Sequence, residues 1–148
     1  MDLQIVDRGI FIIANMINLL LTGIFISRPQ GLKKLERILG LISVSMILPL
    51  GAAVILNLMG KRLWWTFILP LIMILFLMVE LFFDYILNWD FRKTRWLWPY
   101  LFLYYLALMA MIGYSFFIGR AYGFVTLGTY FLNLFATWYS YAKVGHGG

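Results

Sequence analysis

"LWWTFILPLIMILFLMVELFFDYILN", residues 63–88, contains no Lys or Arg, and none occurs anywhere between Arg62 and Arg92. Trp64 and Trp65 stand at one end of the stretch, and two carboxylates, Glu80 and Asp84, stand near the other. A helix rises about 1.5 Å per residue, so roughly 20 apolar residues cross a hydrocarbon core of about 30 Å. The stretch is long enough to span a membrane, and its acids then lie within the bilayer or at its edge.

The remainder of the chain follows the same pattern. Its 148 residues are 64% hydrophobic and only 12% charged, with a mean hydropathy of +0.90, whereas a soluble domain carries about 25% charged residues. Five spans are expected, at about residues 5–26, 38–59, 63–88, 97–118 and 124–141, in an all-α integral membrane bundle. The interruptions are short: "SRPQG" (27–31), "GKR" (60–62) and "GRAYG" (119–123). The 148 residues therefore read as a single polytopic domain of a multi-pass cell-membrane protein, with a basic cytoplasmic loop at 27–37.

Composition narrows the chemistry. The absence of cysteine excludes disulfides and thiol nucleophiles. The single histidine, His146, is near the C-terminus, so neither a metal site nor a bound cofactor is expected. The formal charge of +6 does not indicate a nucleic-acid partner, because the basic residues lie between apolar segments, where topology and lipid phosphates account for them. "MDLQIVDRGI" (1–10) has two Asp and one Arg where a cleaved signal carries a basic region, so the first span is expected to be retained.

Basic residues also orient the bundle. Arg28, Lys33, Lys34, Arg37, Arg92, Lys93, Arg95 and Lys143 fall on one side, and Arg8, Lys61, Arg62 and Arg120 on the other. The richer side is cytoplasmic, which places the N-terminus outside and the C-terminus in the cytoplasm. Trp64 and Trp65 then mark the outer interface, and Trp89, Trp96, Trp98 and Trp138 the inner one. In "GLKKLERIL" (31–39), Leu32, Leu35, Ile38 and Leu39 share a helical face, with Lys33, Lys34 and Arg37 largely opposite, so this segment is expected to lie among lipid headgroups.

Glu80 lies nine residues before Trp89, about 13 Å from the inner interface. Positions four apart share a face, which on the third span reads Thr66, Pro70, Met73, Leu77, Glu80, Asp84 and Asn88. Stripes at matching depth occur on the first span (Asn15, Asn18, Thr22) and on the fifth (Thr126, Thr129, Tyr130, Asn133, Thr137). The fourth offers Tyr100 and Tyr104, and the second Ser43 and Ser45.

A carboxylate at mid-membrane costs at least about 2.5–3.5 kcal/mol. Hydrogen-bond donors, a cation or a bound proton must offset that cost. Asn18, Asn133, Tyr104 and Thr137 are the expected donors, in one cluster with Glu80, and a cation would come from "FRKTR" (91–95). Glu80, the deeper acid, is expected to carry the site and Asp84 to tune it.

The expected function is binding or transport of a small molecule, proton or cation in a cytoplasmic-side polar cavity. Two alternatives stand beside it: an accessory subunit of a larger membrane complex, and an embedded enzyme acting on a lipid or isoprenoid. Membrane lipids are the expected partners, together with a homo-oligomer or partner membrane subunits. In length, span number and aromatic richness the chain is similar to the tryptophan-rich sensory protein/translocator family, but no motif of that family matches residue by residue, so the likeness assigns no site. "MVELFFD" (78–84) also lacks the proline-acid-acid pattern of small membrane isoprenoid cyclases.

Overall fold

The computed structural model of the chain describes residues 3–87 and 94–144, which form helices joined by short turns, with no strand among them. Asp2, Asn88, Trp89, Arg92, Lys93 and His146 lie outside the described residues. The elements are α1 (Leu3–Ser27), α2 (Lys33–Ser45), α3 (Ile47–Met59), α4 (Trp65–Glu80), a π-helical segment (Leu81–Ile86), α5 (Leu97–Ile118) and α6 (Arg120–Val144).

Helix α1 buries Ile10, Ala14, Ile17, Leu21 and Ile24, spaced three and four apart, and turns Ile5, Ile12, Met16, Leu19 and Ile26 outward. Both faces are apolar, as suits a helix packed on protein on one side and on hydrocarbon on the other. It ends where the Ser27 hydroxyl donates to the Ile24 carbonyl at 3.0 Å. Pro29 and Gly31 follow, and the φ of +73° at Gly31 is a left-handed turn that glycine adopts without steric cost.

Helices α2 and α3 form one rod interrupted at Met46. Pro49 explains the break, since its ring would collide with the Ser45 carbonyl one turn earlier and it has no N–H to give. The rod begins at Lys33 rather than Ile38, so Lys33, Lys34 and Arg37 form its first turns and not a separate surface helix. Helix α4 buries Thr66, Pro70, Met73, Phe76, Leu77 and Glu80, the face expected from the sequence with Phe76 added. Beyond Glu80 the helix widens, and the Leu87 N–H reaches back five residues to the Phe82 carbonyl at 2.8 Å.

The rods close into a ring: α1 packs against α2, α3 against α4, α4 against α5, α5 against α6 and α6 against α1, with α1 also touching α3 and α5. Neighbours alternate in direction except at the closure. There Asn15 pairs with Thr126 and Asn18 with Thr129, so α1 and α6 run parallel.

Four helices are long and apolar enough to cross a membrane: Gln4–Ser27, Lys33–Met59, Trp65–Ile86 and Leu97–Ile118. These fit a membrane protein. Helix α6 is as long, at 25 residues, but more polar. The excess polarity is turned inward, with Thr126, Asn133, Thr137 and Ser140 buried, while Phe124, Val125, Phe131, Leu132, Phe135 and Trp138 are exposed.

Candidate functional site

The polar interior resolves into separate groups rather than one cluster. Asn18, Glu80 and Asn133 are each buried and inward-facing, but they bond to different partners. The Asn18 side-chain amide donates to the Thr129 hydroxyl at 2.9 Å, and that hydroxyl donates to the Asn15 side-chain oxygen at 2.7 Å. The Thr126 hydroxyl extends the chain to Ser115 on α5 at 2.8 Å. These bonds join α1 to α6 and α6 to α5. Asn133 donates instead to the Tyr104 hydroxyl at 2.8 Å, and Thr137 donates to the Asn133 backbone carbonyl at 2.8 Å.

Among the described residues, Tyr100 rather than the expected Tyr104 donates to Glu80, with a hydroxyl-to-carboxylate distance of 2.7 Å. The reason is geometric. Helix α5 descends beside α4, so Tyr100 at its start meets Glu80 at the end of α4, and Tyr104 sits one turn deeper. Phe76 packs against both tyrosines, with ring centroids 5.7 Å from Tyr100 and 5.4 Å from Tyr104. This aromatic layer is the floor beneath the acid.

Above the floor lies a cavity of about 180 Å³, whose charged lining is Arg28, Lys33, Glu36, Arg37, Glu80 and Asp84. Glu80 is buried and Asp84 half-buried, so the deeper acid is the one foreseen. Among the described residues the cations are Arg28, just after α1, and Lys33 and Arg37 at the start of α2; Arg92 and Lys93 of "FRKTR", the expected source, lie outside the described residues. Arg28 donates through Nε to Glu36 at 2.9 Å, and its guanidinium lies 5.2 Å from the Phe25 ring centroid. Its Nη1 is buried with no hydrogen-bond partner. The Arg37 guanidinium sits 5.3 Å from the centroid of Tyr85. Gly40 leaves room for Tyr85, because a Cβ there would overlap the tyrosine hydroxyl.

Lys34 does not reach this cavity. With Lys33 it borders a shallow groove over Gly31, Leu32, Leu35 and Ile38. Of the headgroup-binding residues expected from the sequence, Lys33 alone lines both features.

A second charged group was not foreseen. Arg62 grips Asp7 with two N–H groups, at 2.5 and 2.9 Å, and also donates to the Asn57 side-chain oxygen at 3.0 Å. Tyr114 donates to Asp7 at 2.7 Å, and Asn57 donates to the Thr66 carbonyl at 2.8 Å. The bond to Asp7 raises the Arg62 pKa above its ordinary value, against an opposing effect of burial. Because the arginine is charged at any accessible pH, this contribution is complete below its ordinary pKa and adds no slope near neutrality. The available signal was Asp7 itself, an acid inside an apolar run with "GKR" at the same end.

Compared with protein-family models, curated proteins and solved structures, the chain matches none of them.

Proposed function

We propose that the chain is a five-span membrane protein that binds a small charged group in a cavity on the cytoplasmic half of the bilayer. One observation carries this reading: the buried Glu80, held by Tyr100, at the floor of a charged cavity. Intramembrane acids are costly, and where they occur they commonly mark a ligand or ion site. The fifth span is α6, supported by its inward polar stripe, its apolar outer face and its parallel course beside α1. The excess of basic residues at the Glu80 end supports a cytoplasmic placement. At about 180 Å³ the cavity is smaller than the roughly 300–1,000 Å³ typical for drug-sized ligands, so the bound group is small.

The test uses the absence of native cysteine. Asp84→Cys should react with a membrane-impermeant thiol reagent in inverted vesicles and stay unlabelled in right-side-out ones. Leu75→Cys, on the exposed apolar face of α4, should stay silent in both. An Asp84→Cys chain unreactive from either side would mean that water does not reach the cavity, and the reading would fail.

A further inference from the structure

We infer that the shallow groove at the start of α2 binds an anionic phospholipid, its phosphate beside Lys33 and Lys34 and one acyl chain along the exposed face of the helix. This site is separate from the Glu80 cavity and does not depend on it.

The two features occupy different faces of α2. Lys33, Glu36, Arg37 and Gly40 are spaced three, one and three apart, so they share the face that lines the Glu80 cavity. Leu35, Ile38 and Ile42 recur at three and four residues on the opposite face, and all three are exposed. The groove over Leu32, Leu35 and Ile38 therefore opens away from Glu80 and Asp84, with Lys33 and Lys34 at its head.

The length of the rod places that head at the membrane surface. Lys33–Met59 has 27 residues, about 40 Å of helix against a hydrocarbon core of about 30 Å. Leu58 and Met59 at the far end are apolar and exposed, so the excess falls at the lysine end. It amounts to about two turns, which sets the lysines among headgroups and Ile42 in hydrocarbon.

Charge selects the lipid. The groove lining holds two lysines and no carboxylate. Neither lysine forms an ion pair among the described residues, whereas Arg28 is held by Glu36 and Arg62 by Asp7. A headgroup of net negative charge supplies the counter-charge. Phosphatidylcholine and phosphatidylethanolamine each bring a cation of their own, which meets no acid in the groove. Near an anionic surface each lysine strengthens binding by about fivefold. A free phosphate ester matches the lysines but makes no contact with Leu35, Ile38 and Ile42. An acidic soluble partner likewise fails to match a stripe that runs into the bilayer.

The experiment is native mass spectrometry of the full chain in detergent, titrated with dioleoyl phosphatidylglycerol, phosphatidylethanolamine or phosphatidylcholine, and separately with sn-glycerol 3-phosphate. Wild type should retain phosphatidylglycerol about fivefold or more over either zwitterionic lipid, with sn-glycerol 3-phosphate far weaker than all three. Lys34→Gln, which touches the groove and not the cavity, should reduce the preference severalfold. Lys33→Gln with Lys34→Gln should bring it to within about twofold. Both lysines are exposed, so these variants leave the packing intact. Lys61→Gln, an exposed lysine at the other end of the rod, should leave the preference unchanged. Equal retention of the three lipids by wild type would overturn the site. A preference that survives Lys34→Gln, or falls as far in Lys61→Gln, would show that the groove is not where the anion binds. Binding of sn-glycerol 3-phosphate as tight as that of phosphatidylglycerol would overturn the lipid assignment.

Discussion

Arg62→Met is expected to destabilise the bundle by about 3 kcal/mol, more than Asp7→Asn, expected near 1–2 kcal/mol. The asymmetry follows from where the partners sit. Arg62 is on a connector and can swing its guanidinium to water when Asp7 is neutralised. Asp7 is fixed on α1, and without Arg62 it keeps only the Tyr114 hydroxyl among the bonds described here. A buried carboxylate stripped of its cation is the costlier remnant. The double variant should lose less than the sum of the two, with a coupling of about 1–3 kcal/mol. Reversible unfolding in mixed SDS and detergent micelles measures all four corners of the cycle. Equal losses in the two single variants, or strict additivity, would show that the pair is a surface contact of little consequence.

Phe76→Ala is expected to cost about 2–3 kcal/mol, below the roughly 3–5 kcal/mol of soluble cores. The transfer contribution largely vanishes when the unfolded reference is itself in apolar surroundings, which leaves the lost packing and the void. Phe76 is fully buried between Tyr100 and Tyr104, so its removal takes the support from beneath the Tyr100–Glu80 bond. Phe76→Leu should recover most of the loss. The same unfolding assay checks both variants, and a loss under 1 kcal/mol for alanine would mean that the aromatic layer is not packed as described.

The face of each helix was legible because it depends on spacing alone. Thr66, Pro70, Met73, Leu77 and Glu80 share one side of α4 by period, whatever packs against it. Partner identity was not legible in the same way. Whether Tyr100 or Tyr104 meets Glu80 depends on how far α5 slides along α4, and one turn of slip exchanges them. That Arg28 also lines the cavity was not legible for a related reason: "SRPQG" reads as a turn, and only the folded ring brings Arg28 against Glu36 beside Glu80. Asp7 was passed over because an acid one turn into a span looks like an interfacial residue until Arg62 folds back onto it. Helix α6 shows the limit of hydropathy, since its polar stripe depresses the average while its outer face stays apolar.

The parallel contact between α1 and α6 bears on symmetry. A ring of five rods whose first and last members point the same way cannot be divided into two matching halves. Carriers that rock one repeat against its inverted twin around a central site rely on such a division. In this chain the end opposite Glu80 is filled by the Asp7, Arg62, Asn57 and Tyr114 network, with Asn57 and Tyr114 sealed from solvent. Under the proposed binding reading, the described packing at that end leaves the Glu80 end as the expected route of both arrival and departure.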